Sequence, residues 1–237
     1  MTEKSKRVAV FIDAENISHE YAERILSEAS NYGDVIIKRI YADWSKPHTK
    51  SWKEKVPMLS LKPEQNFAAV SGKNSSDISL MVDVLTSFFE RQIDIFCLAS
   101  SDSDYTRLVQ ELKEREKKVV GFGKTQTAAP AYVNTFSEFI YLDKVDKKSS
   151  QQATKDELLP PVQLSALREI VENLIEHHGK ALYGSIGTEM KNKFSDFIPK
   201  NYGYKTLSDL MSKNLKQIGN YKITREEFEV YLTSNNS

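Results

Sequence analysis

The sequence predicts an α/β protein with a Rossmann-like, mostly parallel sheet and helices on both faces, followed by a small winged helix-turn-helix domain. Three observations carry this expectation. Short apolar runs alternate with helical patterns through the first 142 residues, as in strands joined by crossover helices. Residues 143–161 break the alternation with a polar, aperiodic stretch ending in Pro160-Pro161. Beyond it, residues 162–234 carry short amphipathic helices and a hairpin signal. The expected organisation is thus domain 1–142, linker 143–161 and domain 162–234.

Each element follows from local chemistry. "RVAVFI" (7–12) reads as a buried strand, residues 18–31 as a helix, and "VIIKRIYA" (35–42) as a second strand. A basic, Pro-containing region with a helix follows, then "NFAAVS" (66–71) as a third strand and "SDISLMVDVLTSFFE" (76–90) as a helix apolar on much of its circumference. "IDIFCLAS" (93–100), a helix with Tyr105, Leu108, Val109 and Leu112 at helical spacing, "KVVGFG" (118–123), a short helical stretch and "EFIYL" (138–142) complete the first domain. In the second, a stripe from Leu167 to Ile175 stops at Gly179, a helix C-cap signal. Helices are expected over 184–194 and 206–213. "KQIGNYKI" reads as a hairpin turning on Gly219 and Asn220, and Thr224 with Glu227 as a capping box for a closing helix.

Composition narrows the function classes. The 237 residues are 40% hydrophobic and 28% charged, ordinary for a soluble globular chain. No apolar run has membrane-span length, and "MTEKSKRVAVFIDAEN" lacks a signal-peptide apolar region, so a cytoplasmic location without membrane contact is expected. The single cysteine excludes an internal disulfide, and the four histidines lack zinc spacing. Net charge is zero, so any nucleic-acid surface must be local. The basic stretch 38–55, with Lys38, Arg39, Trp44 and Lys50, mixes cations with aromatics as single-stranded binders do; solvated charges around core anchors fit it equally. Lys73 is a further candidate contact.

The carboxylates point to chemistry. Asp13 directly follows the first strand; Asp102 and Asp104 follow the fourth, and Asp77 opens the helix before it. In a parallel sheet the strand ends share one rim, so these acids can converge. Each taken alone is also a normal turn or cap residue, Ser101 and Asp104 forming a variant capping box. Together they would repel one another, a penalty that a hard divalent cation such as Mg²⁺ or Mn²⁺ removes. Such sites serve phosphoryl chemistry. Asp77 and Asp83 point roughly 120° apart on their helix, so Asp77 is preferred and Asp83 is either a supporting residue or surface. No P-loop or dinucleotide fingerprint is present. A phosphatase with an aspartyl nucleophile would want D-x-D after the first strand, where this chain has Asp13-Ala14-Glu15.

"VAVFIDAENI", "SSDISLMVDVL" and "LASSDSDYTRLVQELKEREKKVVGFG" resemble, in order, the motifs of the NYN domain, a LabA-like branch of the PIN-like nucleases. The resemblance covers about residues 6–142. It implies a metal-dependent ribonuclease: Asp13, Asp77, Asp102 and Asp104 as metal ligands for Mg²⁺ or Mn²⁺, Asn16 as a polar catalytic partner, and Asp83 and Ser101 in support. Cleavage in PIN-like relatives leaves a 5′-phosphate. Asn16 is also a routine cap for the helix that follows. Residues 179–218 are similar to the OST-HTH or LOTUS domain, implicated in RNA binding. There Lys200, Tyr204 and Lys205, with Lys191 and Lys193, either meet a phosphate backbone or form a solvated face. RNA, single-stranded or structured, is the expected partner; a protein partner or homo-oligomer through the C-terminal module is the other. The alternative to catalysis is a non-catalytic RNA-binding or adaptor protein with a vestigial acidic pocket.

Overall fold

A computed structural model describes residues 5–65, 75–144, 159–226 and 229–234. The chain divides into two compact units, residues 1–143 and 144–237.

The first unit is a six-stranded sheet. β1 (Arg7–Asp13), β2 (Asp34–Ala42), β3 (Lys62–Gln65), β4 (Ile95–Ala99), β5 (Lys118–Gly123) and β6 (Glu138–Tyr141) lie in the order β3-β2-β1-β4-β5-β6. Every neighbouring pair is parallel. β1, β4 and β5 are buried almost throughout, which is why they read as continuous apolar runs rather than alternating ones. Helices α1 (Ala22–Ser30), α2 (Lys55–Met58), α3 (Ser75–Glu90), α4 (Thr106–Glu114) and α5 (Pro130–Val133) fill the crossovers. Leu80 and Val84 of α3 and Leu108, Val109 and Leu112 of α4 pack with Phe11 and Phe96 into one core. Strand order reverses between β1 and β4. Outside the carboxyl ends of those two strands lies the crevice where open parallel sheets bind ligands.

The structure adds one strand to those expected in this unit and bears on one open alternative. The third strand is Lys62–Gln65, pairing Arg39 with Lys62 through Ala42 with Gln65; the expected strand 66–71 lies outside the described residues. β3 is an edge strand, so polar side chains and Pro63 cost it little, and hydrophobic patterning misses it. In the basic stretch, Trp52 is 1% exposed and belongs to the core, as the alternative of solvated charges around core anchors has it.

The second unit runs α6 (Pro161–His178), β7 (Ala181–Leu182), α7 (Tyr183–Lys193), α8 (Leu207–Ile218), β8 (Tyr221–Arg225) and β9 (Val230–Ser234). Three helices surround one core including Leu167, Ile186, Met190, Leu210 and Leu232. An antiparallel sheet in the order β7-β9-β8 forms the wing. Gly179 ends α6 at φ +72°, the left-handed conformation that suits glycine. The hairpin differs from expectation: Gly219 closes α8, its N–H donating to the Leu215 carbonyl at 3.0 Å. The hairpin proper pairs Tyr221 with Ser234 through Arg225 with Val230. Thr224 is therefore a strand residue, Glu227 lies outside the described residues, and β9 takes the place of the closing helix. Among the described residues no helix is long and apolar enough to cross a membrane.

Candidate active site

Asp13 is the last residue of β1, and its side chain is 1% exposed. Its Oδ1 accepts from the backbone N–H of Glu15 at 3.0 Å and of Asn16 at 3.3 Å. Its Oδ2 accepts from Asn16 Nδ2 at 2.6 Å and from Ser100 Oγ at 3.0 Å. Four donors thus meet a group with about four acceptor positions. Burial pushes the Asp13 pKa up; the hydrogen bonds from Asn16 and Ser100 pull it back, and the charge of Asp77 adds to the rise. Asn16 is therefore bound to Asp13 rather than capping a helix. The cap of the next 3₁₀ turn is Ser18.

Across the sheet, β4 delivers a second set. Ser100, 2% exposed, donates to Asp13 and accepts from the Asp102 N–H at 3.1 Å. Asp102 caps the 3₁₀ turn Ser103–Tyr105, its Oδ1 accepting from the Asp104 N–H at 2.9 Å. The cap is thus Asp102, not Ser101. Ser101 Oγ instead accepts from the Lys124 N–H at 3.2 Å, bridging to the segment after β5. That approach is close: a Cβ on Gly123 would stand 2.9 Å from Ser101 Oγ and 2.8 Å from the Phe139 ring.

Asp77, in the first turn of α3, accepts from the buried Tyr105 hydroxyl at 2.7 Å. Burial raises its pKa first, and the charges of Asp102, Glu15 and Asp104 raise it further, against the lowering by Tyr105. Asp77 thus lies in the field of Asp102, Asp104 and Glu15, and Asp13 in the field of Asp77. Among the described residues, no lysine or arginine forms an ion pair with Asp13, Asp77 or Asp102. The Tyr132 hydroxyl is buried without a hydrogen-bond partner and feels the charges of Asp102 and Asp13.

This donor set fits a hard divalent cation by chemistry: anionic oxygens, mutual repulsion and an orphaned hydroxyl within their field. Ligation at a single point is not formed. Among the described residues no three acidic, histidine or cysteine side chains converge at metal-binding distances. Asp13 would have to release a hydrogen bond to coordinate.

Other expected residues of the first unit are engaged elsewhere. The partners of Asp83 are Arg39 Nη1 and the Tyr41 hydroxyl, both at 2.7 Å, so it stabilises β2 instead of supporting Asp77. Arg39 is committed to that pair, Lys38 Nζ donates to the Leu59 carbonyl at 2.8 Å, and Trp44 Nε1 to the Glu64 carbonyl at 2.9 Å. Lys50 is exposed; Lys73 lies outside the described residues. In the second unit Tyr204 is buried, its hydroxyl accepting from Asn214 Nδ2 at 3.0 Å, so it offers no ring face to a base. Lys205 is exposed and Lys200 half-buried. The residues that patterning missed are Ser100, Tyr105 and Glu15. Ser100 carried a signal: a hydroxyl at the end of an apolar strand, two positions before Asp102.

Comparison with known proteins follows the same division. The sequence model described as NYN domain matches residues 7–143, and that described as OST-HTH/LOTUS domain matches residues 162–218. A crystal structure of a protein of unknown function from Vibrio parahaemolyticus is similar in fold at 16% identity and a TM-score of 0.50, covering 60% of this chain and 96% of that one. No curated protein matches the chain.

Proposed function

Since the chain belongs to the NYN domain family, we propose that its first unit is a metal-dependent endoribonuclease and its second an RNA-binding module. NYN domains are typically nucleases, and OST-HTH domains bind RNA. The observation that carries the reading is the cluster of Asp13, Asp77, Asp102 and Asp104 at the β1–β4 crevice, three of them without a cationic partner among the described residues. A phosphodiester is itself anionic and would be repelled by such a cluster. Only a cation between them makes the pocket useful to RNA.

Asp13, Asp77, Asp102 and Asp104 would hold Mg²⁺ or Mn²⁺, which supplies Lewis acidity and an activated water. The chain's own groups set the rest. Asn16 and Ser100 fix the position of Asp13 and offset part of the burial that favours its neutral form. Tyr105 occupies Asp77 Oδ1, which leaves its second oxygen to orient or deprotonate a water. The water oxygen bonds to phosphorus as the P–O3′ bond breaks, leaving a 5′-phosphate and a 3′-hydroxyl. Lys200 and Lys205 are offered to the backbone of the bound RNA. The test is cleavage of labelled single-stranded RNA with Mn²⁺, its loss with EDTA, and its loss in Asp102→Asn. RNA binding that survives without any cleavage would favour the adaptor reading, to which the saturated hydrogen bonding of Asp13 lends support.

A further inference from the structure

α3 buries one face against the sheet and leaves another open. Ile78 is 60% exposed, Val82 55% and Phe89 69%, with Leu85 half-buried between them. At about 100° per residue these four side chains fall within roughly 60° of arc, along about 16 Å of helix. Single exposed apolar residues are ordinary; an ordered stripe of them marks a contact surface.

The spacing identifies what fits it. Steps of four, three and four residues are the a/d alternation of packed helices, and they read the same from either end. A two-fold axis across the helix between Val82 and Leu85 therefore superimposes the stripe on itself, as an isologous contact requires. Charge agrees. The first turn of α3 carries Asp77, with Asp104 nearby in its field. The other end carries Lys117, 5.7 Å from the Phe88 ring, and Arg115, its guanidinium 5.6 Å from Phe89 and 5.4 Å from Phe88 while ion-paired with Glu111 at 2.7 Å. Antiparallel packing sets the cationic end of each stripe against the acidic end of the other. Parallel packing would stack like on like.

We propose that α3 pairs two copies of this chain antiparallel about a two-fold axis, Ile78 against Phe89 of the partner subunit and Val82 against Leu85 of the partner subunit. Sedimentation equilibrium of the full chain over a concentration series reads the association. Val82→Lys and Phe89→Glu should each give a monomer with an unchanged circular dichroism spectrum, since both side chains are more than half exposed. Register is read by mild oxidation. Ile78→Cys with Phe89→Cys should form a covalent dimer, whereas either single variant should not, its equivalent positions lying about 16 Å apart. Cys97 is buried and does not interfere. A wild-type chain that stays monomeric throughout overturns the proposal. So does a dimer indifferent to both charged variants, or cross-linking by a single variant, which would mean parallel pairing.

Discussion

Ser100 Oγ donates to Asp13 Oδ2 at 3.0 Å, joining the end of β4 to the end of β1 across 87 residues of chain. The same oxygen accepts from the Asp102 N–H, so one hydroxyl positions two of the acids. Ser100→Ala should destabilise the first unit by about 1–3 kcal/mol, the cost of leaving a buried carboxylate oxygen and an amide short of a partner. Denaturant melts of both proteins measure this. A change within error would mean that the pocket rearranges freely.

Asp13→Asn, Asp102→Asn and Asp104→Asn should each abolish RNA cleavage while preserving the fold. At Asp13 the stability effect has a defined sign. Its raised pKa means the folded chain holds a proton that the unfolded chain has released, so stability falls as pH rises from the ordinary carboxylate value through the folded one. Asp13→Asn removes that pH dependence but turns an NH2 group toward two of the four donors from which the carboxylate now accepts. Its Tm should therefore lie below wild type at low pH, and the gap should narrow as pH rises. Thermal scans across pH in metal-free buffer test this.

Asp77 and Asp83 should separate activity from stability. Asp77→Asn should cost much more cleavage than Asp83→Asn at saturating metal. Asp83→Asn should instead cost about 1 kcal/mol, because it weakens the contact with Arg39 and Tyr41. Single-turnover rates beside chemical melts compare them, and the reverse ranking in activity would move the site to the other helix face.

Gly123→Ala tests how closely β5 supports the pocket. Its methyl group would press on Phe139 and Ser101 Oγ, at a cost of about 1–3 kcal/mol. A melt gives the stability cost. A variant as stable as wild type would show that Phe139 can yield.

Residues 158–237 should fold alone, since they hold their own core, and should bind RNA without cutting it. Binding should weaken with salt as counterions are released, and charge reversal at Lys200 and Lys205 should reduce it. Titration of labelled RNA at low and high salt decides. No binding at low salt would make the module a protein-interaction domain.

Legibility followed burial. β1, β4 and β5 announced themselves because both faces are covered, and Asp13 and Asp102 because a charge at the end of such a run is conspicuous. β3 stayed hidden as a polar edge strand, and β9 looked helical because Thr224 and Glu227 happened to have capping-box spacing. Tyr204 looked like a stacking residue beside lysines, but only packing shows its hydroxyl bound to Asn214. Ser100 and Tyr105 act through partners 87 and 28 residues away, and local periodicity carries no record of such pairs.

The separation of Asp13 from Ser100 also sets a clock. A ribosome that has just made β1 must add the whole span to Ser100 before Asp13 meets its partner, on the order of ten seconds at ordinary synthesis rates. Until then β1 has only β2 beside it, and the carboxylate has Asn16 but not the Ser100 hydroxyl. The pocket is thus among the last parts of the first unit to be completed, and a chain cut short before β4 inherits the acid without the machinery. Any chemistry proposed for this centre cannot begin until most of the domain has left the ribosome.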